Sequence, residues 1–185
     1  MKAIEMRRWT REDYNKMASA GLFTPGERVE LVDGEILRMT PQGSVHATFI
    51  QLVYDELRLT FGPAFSIRMQ LPVALSPDSE PEPDVAVVSG TALNYLHAHP
   101  ATALLIVEVS DTTLEYDRRR KGSLYARAGI RDYWIVNLID RCIEVHREPN
   151  QGAYGSCQRF FAGDAIAPLA NLEAVIPLAN IFRQE

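Results

Sequence analysis

Cysteine is scarce: Cys142 and Cys157 are the only two in 185 residues. Two thiols make neither a disulfide framework nor a metal quartet. Long apolar runs are missing as well. None approaches the ~18 residues needed to cross a bilayer, which argues against an integral membrane protein. The opening MKAIEMRRWTRED has no apolar stretch of the kind a signal peptide carries. These absences predict a protein of a reducing, cytoplasmic compartment. A basic surplus is also lacking, with 19 Lys and Arg against 24 Asp and Glu and a net charge of −5. That excludes a broad basic coat for nucleic acid while leaving room for a local basic site. Lysine itself is rare. Lys2, Lys16 and Lys121 are the only ones, and the other sixteen basic residues are arginines. Lysine is the compact ammonium whose pKa can be tuned, so Lys121 draws attention.

Hydrophobic residues make up 46% and charged residues 23%, the mix of a globular chain. The length predicts one domain over 1–185. Thr10 and Asp13 form a capping-box pattern ahead of a short helix over about 11–20, which Gly21, Pro25 and Gly26 end. In RVELVDGEILRM, two alternating runs flank Asp33-Gly34, a strong hairpin signal. Glu30 has the opposite parity to Val29 and Leu31, so it projects from the other strand face. Ile50, Val53, Tyr54, Leu57 and Phe61 recur at helical spacing, with Ser44 as the expected cap and Gly62-Pro63 as the stop. FSIRMQLPVAL reads as a strand interrupted at Pro72. The acidic, proline-rich SPDSEPEP then leads into a strand starting at Asp84. ALLIVEVS is a nearly continuous apolar run with Glu108 as its only charge, the pattern of a strand covered on both faces. Thr112 or Thr113 caps a helix through about Ala128, which Gly129 ends. RDYWIVNL and RCIEVHRE follow as a pair of strands. Both strand–helix–strand steps predict a crossover onto a mixed sheet. The tail holds strand-like YGSCQRFF and AVIPL, and a closing Ile181-Phe182 that docks on the core.

Asp84 and Glu108 carry the chemistry in this reading. They stand at the ends of neighbouring strands, where pairing brings the carboxylates together. An ionised Glu in an apolar strand is costly unless it is paired or bound to a cation. Mg²⁺ prefers oxygen ligands and often uses one or two carboxylates plus substrate phosphates. The alternative is structural, with Asp84 capping a turn and Glu108 paired with an arginine. Lys121, about two turns into the following helix, could reach back to these acids from a partly exposed position. It could equally form an i,i+4 pair with Asp117. Of Arg118, Arg119 and Arg120, one is expected to meet substrate phosphate. His46, near a helix start, could help bind an anion or simply pack. Tyr125, Tyr133 and Trp134 read as packing residues, and His97 and His99 as an exposed loop.

An ordered set of motifs now stands out: Glu30-Leu31-Val32-Asp33-Gly34-Glu35, Pro83-Asp84, Val107-Glu108-Val109-Ser110, then Asp117, Lys121, Tyr125-Ala126-Arg127-Ala128-Gly129-Ile130 and Tyr133-Trp134-Ile135-Val136. Over about 10–147 it resembles the Uma-two family of bacterial endonucleases, a branch of the PD-(D/E)XK nuclease superfamily. The resemblance implies an α/β fold. Its restriction-endonuclease-like core would be a mixed β-sheet flanked by helices, with an N-terminal hairpin. It implies Asp84 and Glu108 as metal ligands, the backbone carbonyl of Val109 as a further one, and Glu30 as an accessory acid. The simple superfamily motif has lysine two residues after the acid, where this chain has Ser110. Lys121 matches the family's relocated lysine. The activity implied is Mg²⁺-dependent (or Mn²⁺-dependent) hydrolysis of DNA by a homodimer, with no organic cofactor. AVIPLANIF and the acidic loops are candidates for the interface. The rival reading is a non-catalytic DNA-binding or assembly module that keeps the fold; a third is a metal-dependent hydrolase of small phosphoesters, which a deep closed pocket would favour and an open groove wide enough for a duplex would not.

Overall fold

The computed structural model describes residues 5–182; Lys2 and the extreme ends of the expected domain lie outside them. Helix α1 (Arg11–Ser19) opens on the Thr10–Asp13 capping box, each side chain satisfying the other residue's backbone N–H. Strands β1 (Val29–Val32) and β2 (Glu35–Arg38) form the N-terminal hairpin, a separate two-stranded sheet. Asp33 and Gly34 turn it with φ of 51° and 73°. Two successive positive values give the type I′ turn, whose twist matches that of the strands. Helix α2 (Ser44–Phe61) buries Ile50, Val53, Leu57 and Phe61. Ser44 does not cap it: Gly43 is the N-cap and no side chain accepts from the first N–H groups.

The main sheet has six strands: β3 (Phe65–Met69), β4 (Val85–Ser89), β5 (Leu105–Ser110), β6 (Asp132–Asn137), β7 (Cys142–Asn150) and β8 (Ala153–Phe161), in that spatial order. β3 stops short of Pro72, because Gln70 turns the chain with a φ of 53°. Asp84 sits one residue before β4 rather than inside it. Only β5 and β6 run parallel. The step between them is helical: α3 (Leu114–Tyr116), a π-helical turn (Asp117–Lys121) and α4 (Gly122–Arg127). The second crossover expected from the sequence is not formed, since β1 and β2 stay out of the main sheet and α2 therefore joins no parallel pair.

Layers form on both faces. Val85, Val87, Val107 and Val109 pack with α2 and with the tail residues Ile176, Leu178, Ile181 and Phe182. Ile106, Tyr133 and Ile135 meet Leu114, Leu124, Tyr125 and Ile130 on the other face. All six residues of β5 are buried. Side chains alternate along a strand, so Glu108 shares the parity of Ile106 and points into the α3–α4 layer. Among the described residues no helix is long and apolar enough to cross a membrane.

Candidate active site

Glu108 is the focus. Its Oε1 accepts hydrogen bonds from Lys121 Nζ at 2.9 Å and Tyr125 Oη at 2.6 Å. Among the described residues its Oε2 accepts only from the backbone N–H of Asp84, at 3.3 Å. Asp84 Oδ2 accepts from the Val109 N–H at 2.8 Å and lies 3.4 Å from His46 Nε2. Asp84 Oδ1 accepts from the Gln70 amide at 3.3 Å. Glu30 Oε2 faces Lys121 Nζ at 3.5 Å and accepts from the Glu82 N–H. Glu30, Asp84, Glu108 and Lys121 are 4%, 6%, 3% and 5% exposed, so the four candidates share one desolvated place.

The π-helical turn brings Lys121 and Tyr125 to it. The Gly122 N–H reaches back five residues to the Asp117 carbonyl, and Tyr133 Oη donates to the same oxygen at 3.0 Å. A Cβ on Gly122 would stand 3.3 Å from that oxygen, so glycine keeps the wide turn uncrowded. In an uninterrupted α-helix, residues spaced by four drift around the axis. The wider turn offsets the drift, and Asp117, Lys121 and Tyr125 all face the sheet. Asp117 is buried and accepts from Ser110 and Thr113.

Burial and charge shift the proton affinities in opposite directions. Burial pushes the Glu108 carboxyl up to about 8, helped by Asp84 and Asp117 and opposed by Lys121. Burial also pushes Asp84 up, but His46, the Val109 N–H and Lys121 outweigh it and hold this carboxyl below the usual range. For Lys121 burial favours the neutral amine, yet Glu108, Glu30, Asp117 and Asp84 keep the ammonium protonated well above its ordinary value. Two neighbouring carboxylates with such different affinities are a mark of functional sites.

A cavity of about 430 Å³ opens above these groups. One wall is the segment 37–43 together with His46; the other is 111–113 with Tyr116. Five acidic side chains line it (Glu30, Asp84, Glu108, Asp111 and Asp117) against Lys121, Arg38 and His46, whose imidazole the contact with Asp84 makes more basic than usual. That excess of negative charge, together with the lightly engaged Oδ1 of Asp84 and Oε2 of Glu108, suits a hard divalent cation. Glu30 does not complete a three-donor group with them. The three-donor groups among the described residues lie elsewhere, at Glu144–His146–Cys157 and Asp140–Cys142–Glu144, where Arg118 and Asn137 already hold Glu144.

Several expectations change. Lys121 is buried rather than partly exposed, and its ion-pair partners are Glu108 and Glu30, not Asp117. Each member of the arginine run has an acidic partner: Arg118 holds Glu144, Arg119 holds Glu115 and Arg120 holds Glu35. His46 reaches Asp84, a contact no local pattern announced. Tyr125, read as packing, hydrogen-bonds Glu108. Its spacing of four from Lys121, which is itself four from Asp117, was the available signal.

The family model Uma2, described as "Putative restriction endonuclease", matches residues 11–179. No curated protein matches the chain. The fold is similar to the crystal structure of a "putative nuclease belonging to DUF820" from Anabaena variabilis, with a TM-score of 0.71 at 14% identity, over 94% of this chain and 97% of that one.

Proposed function

The chain belongs to the Uma2 family, and from that premise we propose that it is a metal-dependent nuclease that hydrolyses DNA phosphodiester bonds at Asp84, Glu108 and Lys121. The observation that carries the proposal is the meeting of two buried carboxylates with one buried ammonium. This is the residue set of the PD-(D/E)XK pattern, with the lysine supplied from the helical layer. Asp84, Glu108 and the carbonyl of Val109 would hold one Mg²⁺ or Mn²⁺, with Glu30 as an accessory acid. Such a cation, when bound, lowers the pKa of a water and polarises a phosphoryl oxygen.

The chain's own groups do the rest. Tyr125 and Lys121 both bind Oε1 of Glu108, which leaves Oε2 turned toward Asp84. The Val109 N–H and His46 orient Asp84 in the same way. Lys121, kept charged by the surrounding acids, aligns the attacking water and offsets the charge that grows on the phosphorane. Water is the nucleophile, and the Ser110 hydroxyl is committed to Asp117.

The test incubates purified protein with supercoiled, linear and single-stranded DNA in Mg²⁺ and in Mn²⁺. Cleavage is expected, and Asp84→Ala is expected to abolish it. Cleavage that persists in Asp84→Ala would come from another site or another protein. In calorimetric titration, equal Mn²⁺ affinity for wild type and Asp84→Ala would remove the metal assignment. No cleavage of any DNA, with the fold intact, would put the DNA-binding or assembly module ahead.

A further inference from the structure

We propose that Glu144, His146 and Cys157 form a zinc site that ties the edge strand β8 to β7, apart from the cleft around Asp84. Glu144 and His146 are two residues apart on β7, so they share a face of the sheet. Cys157 stands directly opposite His146 across the antiparallel pair. His146 Nε2 lies 3.7 Å from Cys157 Sγ and 3.8 Å from Glu144 Oε2, and the three donor atoms all lie within 4.8 Å of one another. A tetrahedral zinc, with its usual bonds to sulfur, nitrogen and oxygen, holds such atoms about 3.3–3.6 Å apart. A slight rotation of the exposed Cys157 side chain brings the set toward that spacing.

The donor set selects the metal. Thiolate and imidazole suit zinc, whereas Mg²⁺ takes oxygen. Three protein ligands leave a fourth place for water, on the side that the exposed Cys157 keeps open. Burial holds the His146 imidazole below its ordinary proton affinity, so the neutral form that binds metals is present at neutral pH. Its ring is seated against Tyr133 and Tyr154, with centroids 5.6 and 5.8 Å away. Burial raises the Glu144 carboxyl, but Arg118 and Asn137 outweigh it and keep the group ionised below the usual range. These contacts orient the carboxylate without using it up. Oε1 accepts from both Arg118 and Asn137, and Arg159 approaches the same oxygen at 3.4 Å. Among the described residues Oε2 accepts from Arg118 Nε alone, which leaves a lone pair on the oxygen that faces His146. Ligating carboxylates are commonly held by such outer hydrogen bonds. Cys157 gives its thiol proton to solvent on binding, and thiolate and carboxylate then offset the two charges of the cation. Strand β8 is held in the main sheet through β7 only and is mostly exposed, so a metal across the pair would fasten it.

The experiment titrates Co²⁺, a coloured substitute for zinc, into metal-free protein. The expected result is a thiolate-to-cobalt charge-transfer band that saturates at one equivalent and is removed by Zn²⁺, together with a thermal unfolding midpoint that rises with Zn²⁺. Cys157→Ser, at an exposed position, should abolish both. His146→Phe keeps a ring against the two tyrosines and should weaken Zn²⁺ binding by more than the about 10–100-fold cost of losing an outer hydrogen bond. The cleft around Asp84 has no thiol among its lining residues, so Asp84→Ala should leave the band in place; its loss there would overturn the separate site. No thiolate band at saturating Co²⁺ would overturn the inference. So would a band that survives in Cys157→Ser, and its disappearance in Cys142→Ser would place the metal on the Asp140–Cys142–Glu144 group instead. Each of these results leaves the nuclease reading where it stands.

Discussion

Glu108 and Lys121 form a desolvated ion pair, and the two consequences of cutting it differ. Above about pH 8, where Glu108 is ionised, removing the ammonium leaves a buried carboxylate without its main partner, a loss of about 3–5 kcal/mol when one member of such a pair is deleted. Lys121→Ala is therefore expected to lower the urea unfolding midpoint strongly, as well as to slow cleavage by about 100-fold, the scale of one preorganised electrostatic contact. The double variant Glu108→Gln with Lys121→Ala should recover part of the stability and none of the activity. An unchanged unfolding midpoint in Lys121→Ala would show that the pair contributes nothing to the fold. Tyr125→Phe removes one donor from the same carboxylate oxygen while keeping the ring. It should cost about 1.5–3 kcal/mol, the range for a hydrogen bond to a charged group. It should also weaken Mn²⁺ binding, because Oε2 of Glu108 is then less firmly turned toward Asp84. Calorimetry with equal affinities would count against that orienting role.

At the level of elements, a strap of chain crosses the end of the main sheet, and one side chain pins it. Asp132, fully buried on β6, accepts from Trp134 Nε1 at 2.8 Å, Arg147 Nε at 2.9 Å and the Leu169 N–H at 2.8 Å. Arg147 also donates to the Ala167 carbonyl. Strands β6 and β7 and the segment 167–169 thus share one carboxylate. Asp132→Ala would strand an indole N–H, a backbone N–H and a guanidinium together. A loss of about 3 kcal/mol or more is expected, since each unsatisfied buried group costs about 1–3 kcal/mol. Chemical unfolding measures it; a loss under about 1 kcal/mol, the net worth of one ordinary hydrogen bond, would show that the strap is held by its apolar residues alone.

For the molecule as a whole, a pair of sites suits the cutting of two strands, and a homodimer is the expected state. The segment AVIPLANIF cannot supply its interface, because Ile176, Leu178, Ile181 and Phe182 are in the core. Among the described residues the edge strands β3 and β8 each leave one side of the ladder unpaired, and such edges are natural places for a second copy. Light scattering should report twice the chain mass of 20.8 kDa. A species of the single mass at micromolar concentration would leave one site per particle, and with it a nuclease that nicks.

Local order along the chain was enough to mark the hairpin at Asp33-Gly34, the buried strand around Glu108 and the helical step to β6. Each rests on turn chemistry or on alternation within a few residues. The acids at the ends of β4 and β5 were legible for the same reason: a charge in an apolar strand stands out against its neighbours. Other features depend on distant segments meeting. His46 reaches Asp84 because α2 packs on one face of the sheet, while Lys121 and Tyr125 reach Glu108 because the π-helical turn rotates them onto the other. The burial of Lys121 and the pairing of Arg118 and Arg120 with Glu144 and Glu35 follow from the same packing. Sequence spacing carries no information about which carboxylate will stand opposite a given cation, so those contacts, and the depth of the cleft, were decided only when the layers closed.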